Sequence, residues 1–185
     1  MGQYYRPLIG EKAYDNYLRV GNEKKYMGSK LTEHSFIGNY YVDSAMKLIE
    51  GKPQKVYWVG DYANSVEGFE EIHKKVWDRK IEDAIPFVQN SDGTPYTADG
   101  KNAVNHTKKN FIDLGRYKKF AQDADGYTFN PVCILCAVGN GQGGGDYYGV
   151  NKEKAGEWAG DMISIEENAP ASFEDVTERY RFVEE

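Results

Sequence analysis

The tripeptide Gly-Asp-Tyr occurs twice in this 185-residue chain, at Gly60-Asp61-Tyr62 and at Gly145-Asp146-Tyr147. The first directly follows an apolar run ending at Val59, and the second closes a glycine-rich loop that follows the run Val132 to Val138. If those two runs are neighbouring strands pointing the same way, Asp61 and Asp146 reach one edge of the sheet. Two converging carboxyl groups could hold Mg²⁺ or Ca²⁺, or act as an acid/base pair. Each Asp taken singly also suits a turn, where its side chain bonds nearby backbone N–H groups.

The loop itself holds six glycines between Gly139 and Gly149. Glycine takes positive φ without a Cβ penalty and lets other groups approach the main chain closely. Gly139, Asn140, Gly141, Gly143, Gly144 and Gly145, flanked by the rings of Tyr62 and Tyr147, are therefore candidate ligand-binding residues. Their N–H groups would form a nest for a small anion or a nucleotide. The competing reading is a tight turn between strands. Gly139-x-Gly141-x-x-Gly144 formally satisfies the dinucleotide pattern, but residues 146–157 show no helical apolar face, and no Gly-Lys-Ser/Thr follows the loop.

His34, beside Glu33 in Leu31-Thr32-Glu33-His34-Ser35, is the best-placed histidine for acid/base work, with Glu33 as a second carboxylate. Helix capping accounts for the same polar cluster. His73 falls on the apolar face of a predicted helix and reads as a core residue, and His106, in a Lys-rich loop, reads as solvated. Cys133 and Cys136 form a C-x-x-C within an apolar run that reads as a strand, where residues three apart face opposite ways. With no second Cys pair, they read as two buried, unlinked thiols.

Several elements must position these groups. A strand is expected from Gln3 to Ile9, then a hairpin around Tyr17 to Val20. Tyr41, Ala45 and Leu48 mark a helix that begins near Phe36 and is stopped by Gly51 and Pro53. A buried strand follows at Gln54 to Val59. Asn64 with Glu67 suggests a capping box opening a second helix through Phe69, Ile72 and Val76. Residues 81–110 read as a long loop with one small hairpin, and Phe111 to Leu114, Pro131 to Val138 and Asp161 to Glu166 read as strands. Tyr117 to Gln122 reads as a helical turn, and Ser172 with Asp175 as the start of a last helix. Strands and helices alternate loosely, which predicts a single α+β domain over residues 1–185 with a mixed or antiparallel sheet and two to three packed helices.

Composition narrows the function classes. No apolar run approaches the length of a membrane span, and the first residues lack a secretory signal, so a soluble cytoplasmic protein is expected. Arg6 stands where a myristoylation motif starting at Gly2 needs Ser or Thr. Net charge is −6, with thirteen acidic and only four basic side chains in residues 121–185. Such a segment disfavours direct nucleic-acid binding and favours a basic partner surface. Fifteen tyrosines supply amphipathic rings suited to interfaces or to the rim of a small core.

Five ordered segments, Met1 to Tyr5, Leu31 to Asn39, Trp58 to Ala63, Gly139 to Gly149 and Trp158 to Asp161, together resemble a family of uncharacterised proteins carried by phages and mobile elements of gut Firmicutes. The cysteines are not part of that pattern. The resemblance spans most of the chain and implies a setting rather than an activity: a small phage accessory protein in a bacterial host, similar to antagonists of bacterial defence such as anti-CRISPR proteins. The leading expectation is a non-enzymatic protein, without cofactor, that binds a host protein through an acidic C-terminal surface. The alternative is a nucleotide-binding or metal-assisted phosphoryl hydrolase site, with Asp61 and Asp146 on a divalent metal, the loop N–H groups on phosphate and His34 as general base.

Overall fold

In the computed structural model, which describes residues 2–184, the chain opens with β1 (Tyr5–Ile9), β2 (Lys12–Ala13), β3 (Tyr17–Val20) and β4 (Glu23–Tyr26). It continues through α1 (Leu31–His34), α2 (Tyr40–Lys47), β5 (Gln54–Gly60), α3 (Glu70–Trp77), β6 (Ile85–Pro86), β7 (Asn102–Asn105) and β8 (Asn110–Asp113). The last elements are α4 (Leu114–Phe120), α5 (Pro131–Leu135), β9 (Ala137–Val138), β10 (Met162–Glu166) and β11 (Glu174–Asp175). Met1, which opens the first of the five family-like segments, lies outside the described residues.

The main sheet has the order β11-β8-β7-β10-β5-β1-β2, with β9 also on β5. One edge of β5 pairs antiparallel with all of β1, Tyr5 opposite Gly60 and Ile9 opposite Val56. Its other edge is shared: β10 takes the first residues, antiparallel, and β9 takes the last, parallel, with Trp58 opposite Ala137 and Val59 opposite Val138. A second sheet, β4-β3-β6, carries the hairpin expected near Tyr17. The architecture is thus α+β with a mixed sheet, as the loose alternation predicts. Among the described residues five α-helices form rather than two or three, and only α2 and α3 reach eight residues.

Alternation along β5 explains the layering. Val56 and Trp58 enter the larger core with Tyr41, Met46 and Ile49, while Val59 and Tyr57 turn to a smaller core with Leu8, Val76 and Val138. Successive strand residues face opposite sides, so α2 covers one face and α3 the other. Each fully buried aliphatic side chain contributes about 1.5–3 kcal/mol. Asn39 fixes the start of α2 by accepting from the N–H groups of Tyr41 and Val42, at 2.9 and 3.3 Å. No helix among the described residues is long and apolar enough to cross a membrane.

Four expected elements differ. Residues 102–105, expected within a long loop, form β7, which pairs antiparallel with both β8 and β10 inside the main sheet. Residues 131–135 are a helix, not a strand, because Asn130 caps it at the Val132 N–H, 2.9 Å away, and Pro131 occupies its first turn. Cys133 and Cys136, as expected, are buried and unlinked, and the Cys136 thiol bonds the Trp158 carbonyl at 3.8 Å. The second helix starts at Glu70 rather than Asn64: Ala63–Ser65 is a 3₁₀ turn, and Gly68, at φ +87°, breaks the path between them. The last predicted helix is absent, since Glu174 and Asp175 pair with Asn110 and Phe111 as β11. There the Asp175 carboxyl, which would have capped a helix, accepts from the Thr177 N–H and hydroxyl and pairs with Arg116.

Candidate functional site

Because β5 and β9 run parallel and side by side, the turns that follow them, at Gly60 and Gly139, emerge at one edge of the sheet. This satisfies the condition under which the two Gly-Asp-Tyr motifs can meet. Both turns need a residue without a side chain. A Cβ at Gly60 would lie 2.7 Å from Gln3 Cδ and 3.1 Å from the Val138 carbonyl oxygen, one at Gly139 would lie 3.0 Å from Ala63 Cα, and one at Gly143 would lie 2.7 Å from Gln3 Cβ and 2.9 Å from the Tyr62 ring. Tyr62, one of the two expected flanking rings, does border the loop, and Ser65 Oγ adds a bond to Gln142 Oε1 at 3.1 Å.

The nest expected for an anion has formed, and the chain fills it itself. Asp146 Oδ2 accepts from the N–H groups of Gly141 and Gly143, both at 2.8 Å, while Oδ1 accepts from the Tyr5 hydroxyl at 2.6 Å. Gln3 Nε2 donates to that hydroxyl at 2.7 Å and to the Gly139 carbonyl at 2.8 Å. Asn140 zips the loop closed, accepting from Tyr147 N–H at 2.8 Å and donating to its carbonyl at 2.9 Å. Gln3 and Tyr5 are fully buried and Asp146 is 3% exposed. Burial, with the hydrogen bond to Asp146 next and the Asp146 charge after it, pushes the Tyr5 phenol far above its ordinary range. Ligand binding by the N–H groups of Gly141 and Gly143 is therefore corrected, and so is the reading of Asp146 as a free metal ligand: its oxygens already hold the loop.

Tyr147 is corrected as well. It is fully buried, edge-on to Phe129 and Phe182, with its hydroxyl donating to the Val183 carbonyl at 3.1 Å. The accessible ring of the pair is Tyr148, whose hydroxyl donates to the Gly143 carbonyl at 3.3 Å.

Asp61 is built differently. Its Oδ1 accepts from the Tyr4 N–H at 3.1 Å, and its backbone bonds Tyr4 and His73. Burial raises its pKa, and the Asp146 charge adds to the rise. The two carboxyls thus sense one another, as the repeated motif suggests, but Asp61 accepts from Tyr4 rather than from the glycine loop. His73 is buried, as its helical position implies. Among the described residues, no three His, Cys, Asp or Glu side chains gather as metal ligands.

The segment holding Glu33 and His34 also arrives here. Thr32 N–H donates to the Gly145 carbonyl at 3.2 Å, and an added Cβ at Gly145 would meet the Lys30 side chain at 3.0 Å or closer. Their reactive ends, however, are already engaged within their own segment. His34 Nδ1 accepts from the Lys30 N–H at 3.1 Å, and burial lowers the imidazole pKa. Glu33 pairs with Lys30 Nζ at 2.5 Å rather than with His34. His106 is not simply solvated, since its Nε2 lies 2.8 Å from Ser164 Oγ.

Around this closed loop lies a set of tyrosines that the pairs in the sequence flag only generally. Tyr26 and Tyr148 are each 56% exposed. Tyr26 bonds Tyr4, packs edge-on against Tyr17 at 5.4 Å, and is followed along the surface by Lys30, whose Nζ lies 5.9 Å from the Tyr4 ring. The sequence asymmetry of charge, by contrast, is partly cancelled by folding. Asp161 pairs with Lys108, Glu167 with Lys101 and Asp175 with Arg116, all cations of the middle third.

Sequence reasoning missed two members of the buried network and one further carboxyl. Gln3 and Tyr5 share a face at strand spacing, a signal that was present in the alternation of the first strand. Asp43, 1% exposed on α2, is hydrogen-bonded to Thr97 and to the backbone of Gly38 and Ala98, and burial raises its pKa to about 6. Its only trace in the sequence is a charge set within a helical apolar face.

Comparison of the chain with protein-family models, with curated proteins and with solved structures finds no match.

Proposed function

We propose that this chain is a phage-type accessory protein that binds and antagonises a host protein, with a CRISPR or other defence effector as the case its family resemblance raises. The contact surface is the tyrosine-lined face around the glycine loop. The observation that carries this reading is the pairing of a loop whose Gly141 and Gly143 N–H groups are already spent on Asp146 with exposed rings at Tyr26 and Tyr148. Tyrosine beside glycine, serine and asparagine is the composition of protein-binding loops, where rigid amphipathic rings bury area at low conformational-entropy cost. Acidic side chains of the last third that form no ion pair among the described residues, such as Glu153 and Glu178, add attraction toward a basic partner.

The test is capture of a partner from a bacterial host lysate at rising salt, repeated with Tyr26→Ala combined with Tyr148→Ala. A ring-dominated contact survives salt and is lost in the double variant, because screening weakens exposed charge pairs far more than buried apolar area. Capture that is abolished by salt and untouched by the double variant returns the reading to the acidic surface, and no captured partner removes it.

A further inference from the structure

The glycine loop has another side, away from the tyrosines. Gly139 and Gln142 wall a cleft of about 310 Å³ together with Val66, Phe69, Lys152 and Ala155. Its floor is Ala137 and Val138, so it opens where the parallel strands β5 and β9 end. Crevices at the carboxyl ends of parallel strands are the usual ligand sites of open sheets.

We propose that this cleft binds a small planar aromatic anion, a single ring bearing one phosphate or carboxylate. Charge is the first argument. No Asp or Glu lines the cleft, although the chain carries net charge −6 and its last third is strongly acidic. Lys152 is the only charged side chain in the lining and, among the described residues, forms no ion pair, whereas its neighbour Lys154 pairs with Glu157 at 3.8 Å. An unpaired cation in an acid-free wall selects for an anion. Shape and polarity are the second. Phe69 and Val66 offer an apolar wall for a ring, and Gln142, whose Oε1 already accepts from Ser65, retains its amide N–H₂ as a donor. The volume sits at the lower end of the about 300–1,000 Å³ of ligand pockets, enough for one ring and too little for a dinucleotide. Glycine again permits the geometry: a Cβ at Gly156, in the same lining, would lie 2.7 Å from the Ala137 carbonyl.

This site uses neither the N–H groups held by Asp146 nor the rings of Tyr26 and Tyr148, so it stands or falls independently of the protein-binding reading. The experiment titrates the ¹⁵N-labelled full chain with phenyl phosphate and with benzoate, using inorganic phosphate and benzyl alcohol as controls. Saturable shifts at Gly139, Ala155 and Gly156 with a Kd of about 1 mM or tighter for one of the aromatic anions are expected. Lys152→Ala, an exposed position, weakens that affinity at least about tenfold with an otherwise unchanged spectrum. Ala155→Phe, which fills the cleft, abolishes binding, and Lys154→Ala leaves it intact. The proposal is overturned if neither aromatic anion saturates, if inorganic phosphate or benzyl alcohol binds as well, or if Lys152→Ala has no effect.

Discussion

Asp61 and Asp146 sit in the same tripeptide, at the same edge of the same sheet, and have been given opposite tasks. Asp146 is swallowed by the loop that carries it, with two N–H groups and a phenol on its oxygens. Asp61 accepts one N–H from Tyr4 and is pushed up in pKa, because burial removes water without returning as many donors. The difference teaches that a carboxyl group's role follows from the number of donors the fold brings to it. An internal carboxyl can occupy an anion nest as fully as a bound phosphate would.

The comparison breaks most visibly at Asp146. Asp146→Ala leaves two loop N–H groups and the Tyr5 hydroxyl without partners, and should lower stability by about 4 kcal/mol in urea denaturation. Loss of under about 1 kcal/mol would mean that the loop does not depend on its carboxyl. Asp43 sharpens the contrast from the other side, as a buried carboxyl dominated by desolvation. Its folded pKa of about 6 lies above the ordinary value of 3.8, so the native state binds the proton more tightly than the unfolded chain. Stability from this group is full below about pH 4 and is lost as pH rises through about 6. Asp43→Asn should therefore gain up to about 3 kcal/mol at pH 7 and flatten the stability profile between those values.

Smaller effects follow from single bonds. Tyr5→Phe removes the donor to Asp146 and an acceptor for Gln3, with an expected loss of about 1–2 kcal/mol. Asp61→Asn should move stability by less than about 1 kcal/mol. Its sign at neutral pH should be a slight gain, because a raised carboxyl pKa means that ionisation opposes folding. Thermal or urea melts of the two Asp variants side by side would rank the motifs, and equal losses at Asp61 and Asp146 would erase the distinction drawn between them.

Local signals read correctly where one residue decides an element. Asn39 before an apolar helical face locates α2, and β5 and β10 appear where Val, Ile and aromatic residues cluster between turn residues. Misreadings arose where a local signal was outbid. At 131–135 the apolar run suggested a strand, although Asn130 and Pro131 already carried the helix start. At Asp175 the carboxyl found Thr177 and Arg116, the latter 59 residues away, and a capping box never formed. The candidate site was legible as a meeting of Gly60-Asp61-Tyr62, Gly139 to Gly149 and the Glu33-His34 segment. What each group does there was not legible, because the partners of Asp146, His34 and Asp61 include Tyr5, Lys30 and Tyr4, chosen by packing.

By itself, then, the sequence determined a mixed α+β fold, the apolar strand and glycine turn that place two Asp-containing motifs at one edge, and the burial of two unlinked thiols. Only the tertiary structure decided that Asp146 fills the nest, that Tyr147 is core while Tyr148 is surface, and that Lys152 faces an acid-free cleft. Apolar periodicity and turn chemistry act over a few residues and are legible there unless a stronger partner outbids them. Hydrogen-bond satisfaction and charge pairing depend on which distant segments are brought within about 3 Å, and that is set by the whole chain at once.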